Sequence, residues 1–215
     1  MNSALAVLCG PSLSKEHRIA SDRVTYLPPA ARGDVTRAAR NYENILLIDG
    51  VFHHNVATTP KEVYEALKRA RVFGASSMGA LRAAECARYG AIPLGIVARW
   101  FATEKLDGDD EVALLFDPAT HRPLTVPSVN VRYLAWLAAR RGILSKPSAM
   151  RFVENARAIY YAERDWDAVL SLVDPKTRAA LNGLVHLADL KQHDARFALR
   201  SVLSRLSNDT YVIPT

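Results

Sequence analysis

Four short apolar runs, each closed by a turn signal and separated from the next by a polar stretch with helical patterning, constrain this fold most. Leu5-Ala6-Val7-Leu8-Cys9 stops at Gly10-Pro11-Ser12-Leu13, Val24-Thr25-Tyr26-Leu27 at Pro28-Pro29, and Ile45-Leu46-Leu47-Ile48 at Asp49-Gly50, and Val72-Phe73 completes the series. Continuous apolar runs are buried on both faces. With helical segments between them at residues 13–21, 33–42 and 60–70, they predict an α/β fold, a mostly parallel sheet flanked by helices in the N-terminal half. Functional groups in such a sheet gather at the carboxyl ends of the strands. Gly10, Ser12, Asp49, Gly50 and Ser77 all fall at such ends and are expected to line one cleft. Gly10-Pro11-Ser12 lacks the glycine pattern and the lysine of a phosphate loop, so lining is its expected role.

Beyond residue 117 the pattern turns helix-rich. The stretch Phe116 to Pro123, with two prolines, reads as a loop or short excursion, and helices are expected from Val131 to Arg141, Pro147 to Arg164 and Asp165 to Val173, with helical patterning on through Leu206. Phe152, Val153, Ala156, Ile159 and Tyr160 recur at helical spacing and are assigned to packing. The expected organisation is an α/β core over residues 1–118 and a helix-rich extension over 119–215 packed on it.

The chemistry centres on Val72-Phe73-Gly74-Ala75-Ser76-Ser77-Met78-Gly79-Ala80-Leu81, a strand, a small-residue corner and a helix start. This resembles a nucleophile elbow, with Ala75 and Gly79 keeping Ser77 Oγ clear of backbone. Free N–H groups and the positive end of the helix dipole would favour an oxyanion beside Ser77, with Ser76, Met78 and Gly79 around it. An ordinary helix N-cap is the competing role for the serine. A base is offered by Lys61: Thr59, Pro60 and Glu62 compose a capping box with proline at the first position, which puts Lys61 in the first helical turn. The dipole there opposes a cation by about 0.3–1 kcal/mol and favours the neutral amine, and burial would act in the same direction. A solvated lysine beside Glu62, Glu65 and Lys68 is the alternative.

Other polar groups carry less. His53-His54 follows a strand end with no third ligand at a metal-like spacing, so the pair reads as loop residues that gate the cleft and no metal is expected. Arg82 and Glu85, three apart, form a helical pair or orient the nucleophile. Asp109, Asp110 and Glu111 suit a first helical turn or dock a basic partner, and Asn130 and Arg132 are candidate anchors for a carboxylate or carbonyl.

The 215 residues are 49% hydrophobic, ample for a core, and no stretch is long and apolar enough to span a membrane. Met1 to Cys9 lacks a basic leader and a convincing cleavage site, so a soluble, cytoplasmic protein is expected. Cys9 and Cys86 suit small buried residues in a reducing compartment rather than a disulfide or zinc site. The net charge of +6 is dispersed, with only pairs such as Lys68-Arg69 and Arg140-Arg141, which argues against nucleic acid and suits an acidic protein or peptide partner.

The run Gly74 to Glu85, preceded by Ile48-Asp49-Gly50-Val51-Phe52 and Lys61-Glu62-Val63 and followed by Asp109-Asp110-Glu111-Val112-Ala113, resembles the TfuA family over residues 4–135. The resemblance implies a partner of a YcaO enzyme in peptide backbone thioamidation. It implies release of sulfide from a thiocarboxylated ThiS-like carrier protein and help in engaging the precursor peptide. It also implies a Ser–Lys pair, carried onto Ser77 and Lys61, with Ser76 as a neighbour that could cap or compete. No cofactor is expected on this chain, since ATP and Mg belong to the YcaO partner. Pro60 stands where many members have a histidine before the lysine. The competing function is a non-catalytic adaptor that docks YcaO and its peptide.

Overall fold

The computed structural model describes residues 5–52 and 56–209, and the chain divides into two compact units, Met1–Asp107 with Gln192–Thr215, and Gly108–Lys191. The expected division at 118 placed all of 119–215 in one extension. Here the contact boundary falls at 107 and the last helix returns to the first unit.

The first unit is built on β1 (Leu5–Leu8), β2 (Val24–Leu27), β3 (Asn44–Leu47), β4 (Arg71–Ala75) and β5 (Ile92–Leu94), all parallel, in the order β2-β1-β3-β4-β5. Leu8 stands opposite both Leu27 and Leu47, and Leu47 opposite Gly74. Alternate residues face opposite sides. Ala6, Leu8, Ile45, Leu47 and Val72 meet α1 (Asp34–Ala38), α2 (Pro60–Leu67) and α3 (Met78–Glu85) through Val35, Ala38, Val63, Ala66 and Ala83. Leu5, Val7, Leu46, Phe73 and Ala75 face the other way.

Right-handed crossovers explain this division. The steps β2 to β3, β3 to β4 and β4 to β5 run in one direction across the sheet and stack α1, α2 and α3 on one face. The step β1 to β2 runs the opposite way, but its connection forms only a 3₁₀ turn at Lys15–His17 where a helix was expected over 13–21. That face is therefore filled from far along the chain by α9 (Leu190–Asp209), whose Ala195, Ala198, Leu199, Val202 and Leu206 are buried with Leu13. Each such leucine or valine is worth about 1.5–3 kcal/mol of burial. After β5 comes α4 (Gly95–Ala102), which packs on α3.

The second unit holds α5 (Ser128–Arg140), α6 (Lys146–Ala158), α7 (Trp166–Leu170) and α8 (Pro175–Asn182) around Leu134, Ala138, Phe152, Ala156, Val169 and Leu181. Their starts are written locally. Ser145, Asp165 and Asp174 each accept from a backbone N–H within the next three residues, and Pro147 and Pro175 occupy first-turn positions. α6 stops six residues before the expected Arg164, because Ile159 turns extended. Arg164, 1% exposed, holds the chain beyond that stop in place by donating to the carbonyls of Val126 (2.8 Å), Asp110 (3.3 Å) and Ile159 (3.4 Å). Of the aromatic stripe assigned to packing, Phe152 is buried and Tyr160 is exposed. The excursion at 116–123 closes on itself through a bridge between Phe116 and Pro123. No helix among the described residues is long and apolar enough to cross a membrane.

Candidate functional site

The corner after β4 is tighter than the sequence indicates. Ser77 N–H donates to Ala75 O at 2.8 Å, two residues back, and Ser76 between them has φ 68°. This is a γ-turn of the positive-φ kind, a strained geometry for a residue with a Cβ, costing of the order of 1–3 kcal/mol. It delivers Ser77 to the N-cap position of α3, yet the Ser77 hydroxyl makes no capping bond. The serine occupies the place of a cap without performing it. Ser77 is 1% exposed, and its hydroxyl bonds to no other described residue.

The start of α3 is pressed onto the sheet edge-on. A Cβ on Gly79 would lie 1.8 Å from Leu47 O, and one on Gly74 would lie 2.1 Å from Gly79 O, so only hydrogens fit at both places. Gly79 N–H donates to Ile48 O at 3.0 Å, which removes it from the expected oxyanion donors. Met78 N–H keeps no partner among the described residues and is the donor beside Ser77 that stays free. The Met78 side chain packs against Gly50, where a Cβ would sit 2.9 Å from Met78 Cγ.

At the neighbouring strand ends, Asp49 is a hub. Its buried carboxylate accepts Gly10 N–H (2.8 Å) and Ser12 N–H (3.0 Å) on Oδ2 and Ser12 Oγ–H (2.6 Å) on Oδ1. The β1 and β3 ends are thereby locked together, at the place where the strand order reverses. Ser12 and Asp49 spend their polar atoms on each other and are buried, so they shape the strand ends rather than face an open cleft. The Cys9 thiol beside them is pushed up to about 12, chiefly by burial, with the Arg18 guanidinium pulling the other way. It is inert as a nucleophile. Cys86 is also a buried free thiol.

Lys61 sits where the capping box predicts: Thr59 Oγ1 accepts Glu62 N–H at 3.3 Å, and Glu62 reaches back to Thr59 N–H at 3.3 Å. The box holds a second contact, Gly33 N–H to Glu62 Oε1 at 2.6 Å. Lys61 is exposed, as in the solvated alternative read from the sequence. The segment entering α2 is tied to α3 by Arg82 Nε–H on Thr58 O (2.7 Å) and Cys86 Sγ–H on Pro60 O (3.5 Å). Arg82 also pairs with Glu85 at 2.7 Å, so it positions the Lys61 helix through Thr58. Thr58 bears no motif of its own, and nothing in the sequence singles it out.

The remaining candidates belong to the second unit and are structural there. Glu111 is 0% exposed and closed off by Arg132, whose Nε donates at 2.9 Å and Nη2 at 2.5 Å, and by Arg157 at 3.0 Å. Glu111 is thus unavailable to a basic partner, and Arg132 does anchor a carboxylate, the protein's own. The acidic triplet forms a 3₁₀ turn, Asp109–Glu111, instead of opening a helix. Asn130 accepts Lys191 N–H and donates to Asp189, both at 3.2 Å, fastening α5 to the last residues of the second unit. His53 and His54 lie outside the described residues. Among the described residues no three His, Cys, Asp or Glu side chains gather as a metal site.

A parallel sheet with a strained serine corner at its strand ends defines the class, and the sequence comparison defines the family. Residues 49–165, more than half of the chain, match the TfuA-like protein family, and the chain belongs to it. The match spans Asp49, Lys61, Ser77, Glu111 and Arg132 and places the protein in the setting of YcaO-associated thioamidation. A comparison with curated proteins finds no match.

Proposed function

We propose that this chain hydrolyses a thiocarboxylated, ThiS-like sulfur-carrier protein and delivers the sulfide to a YcaO partner that thioamidates a ribosomal peptide. The observation that carries the reading is Ser77, buried at a strained strand-to-helix corner with its hydroxyl uncommitted and the Met78 N–H free beside it. A hydroxyl set beside a strained residue and left without structural bonds is a candidate for chemistry.

In the reaction, neutral Lys61 takes the Ser77 hydroxyl proton while Oγ bonds to the thiocarboxylate carbon. The tetrahedral oxyanion is held by Met78 N–H and the dipole of α3. Collapse breaks the C–S bond, and the proton held by Lys61 passes to sulfur, so that hydrosulfide leaves. Water then attacks the acyl ester, giving the carrier carboxylate and restoring Ser77. A nucleophile as buried as Ser77 suits the slender C-terminal end of a carrier rather than a folded surface.

The rival reading, a non-catalytic adaptor for YcaO and its precursor peptide, is favoured by one observation: Lys61 is exposed while Ser77 is buried. Sulfide release from a purified thiocarboxylated carrier decides between them. Hydrolysis predicts release reduced at least about a thousand-fold in Ser77→Ala and strongly in Lys61→Ala, with carrier binding retained. Loss in Ser77→Ala alone would keep the nucleophile and remove Lys61 as its base. Equal release in all three proteins would leave the adaptor.

A further inference from the structure

The outward face of α9 carries cations that the fold does not use. Helical spacing puts His193, Phe197, Arg200 and Ser204 along one stripe, with Arg196 on one flank and Ser201 and Arg205 on the other. Together they line a shallow groove of about 670 Å³. Arg196, Arg200 and Arg205 have no ion pair or hydrogen bond to any described residue, whereas Arg23, Arg37, Arg71 and Arg82 of the same unit each bond to one. From Leu190 to Asn208 the helix has a single carboxylate, Asp194, and that one is buried and committed to accepting Ile96 N–H (3.0 Å) and Val97 N–H (2.7 Å) at the start of α4. In the middle of the cations stands Phe197, 55% exposed.

We propose that this face docks an acidic amphipathic helix of a protein partner, with an apolar side chain on Phe197 and carboxylates on either side, paired with Arg196 and Arg200 and with Arg205. The three guanidiniums span about 13 Å along the axis, two and a half turns, which a helix bearing glutamates every fourth residue matches. The chain's own segments outside the described residues, Met1–Ala4, His53–Asn55 and Thr210–Thr215, contain no acidic side chain and cannot supply that charge. Arginine with a central aromatic and no exposed lysine is the composition of a protein interface, where Arg and Phe are enriched and Lys depleted. The site is separate from Ser77 and stands whichever way the hydrolysis test turns out.

The test uses the full-length protein and fluorescence anisotropy of a labelled 18-residue helical peptide with glutamate every fourth residue and a leucine stripe. Binding is expected to weaken at least tenfold in Arg196→Glu/Arg200→Glu and several-fold in Phe197→Ala, and to fall with added salt. Arg40→Glu/Arg69→Glu, which makes the same change in net charge away from α9, is expected to bind like wild type. All these positions except Arg196 are exposed, and thermal melting verifies the fold of each variant. Three outcomes overturn the proposal: no peptide binding, equal weakening in the Arg40→Glu/Arg69→Glu control, or an 18-nucleotide single-stranded DNA that binds more tightly than the peptide and is lost with the α9 substitutions.

Discussion

Ser77 in the sheet-bearing unit and Glu111 in the helical unit are equally withdrawn from solvent, yet the Ser77 hydroxyl has no partner among the described residues while Glu111 divides its carboxylate between Arg132 and Arg157. Both lie in the region that defines the family. Burial alone therefore does not mark a functional residue in this protein; the use made of its hydrogen-bonding atoms does. A fully shared carboxylate holds structure together, and removing a partner from it is costly. A hydroxyl that nothing in the fold requires can be given to a substrate.

The comparison is sharpest at the helix that presents Ser77. Gly79→Ala would drive a methyl group into Leu47 O, a backbone atom that cannot step aside. The expected cost is about 4 kcal/mol or more, the range of severe overpacking against a fixed neighbour. Chemical denaturation reads it directly. A variant nearly as stable as wild type would mean that α3 slides easily on the sheet and is no rigid mount for Ser77.

Next in size is the contrast itself. Arg132→Ala should cost about 3 kcal/mol, the low end for breaking a buried pair because Arg157 still faces Glu111. Ser77→Ala should cost less than about 1 kcal/mol, since no hydrogen bond of the fold is deleted. Measured side by side, equal losses in the two variants would reverse the reading of Ser77 and make it a structural residue.

The sheet was legible because β1, β2, β3 and β4 are short apolar runs ended by Gly, Pro or Asp-Gly, signals that act locally. β5 was not: Ile92-Pro93-Leu94 is three residues long and centred on a proline, which only a sheet edge accepts. Nor was α4, whose start is capped by Asp194, nearly a hundred residues away. The segment 33–42 shrinks to the five residues of α1, and the last helix, read as part of an extension, completes the sheet-bearing unit. At the site, small residues around Ser77 announced the corner, but the γ-turn at Ser76 depends on backbone angles that no residue type dictates. The competition for Gly79 N–H comes from Ile48, a strand away. Glu111, Arg132 and Asn130 looked like surface anchors because the partners that bury them are distant in sequence or read as ordinary solvated charges.

The smallest expected effect tests whether the Asp194 carboxylate resembles Glu111 or departs from it. Like Glu111 it is buried, but it meets two backbone N–H groups instead of guanidiniums, with His193 and Arg99 contributing weaker attraction. Burial wins, and its pKa is raised above the ordinary aspartate value. In the folded state the group thus holds its proton to higher pH than in the unfolded chain. Its contribution to stability is full below the unfolded value, near 3.9, and declines as pH rises through the folded one. Asp194→Asn removes the titration and keeps an acceptor oxygen for one of the two N–H groups, a loss that does not vary with pH, so the wild-type advantage over the variant should shrink between acid and neutral pH in denaturant titrations. Each pH unit separating the two pKa values contributes about 1.4 kcal/mol to that change. An advantage that grows with pH instead would show that the N–H groups and the α4 dipole outweigh burial at Asp194.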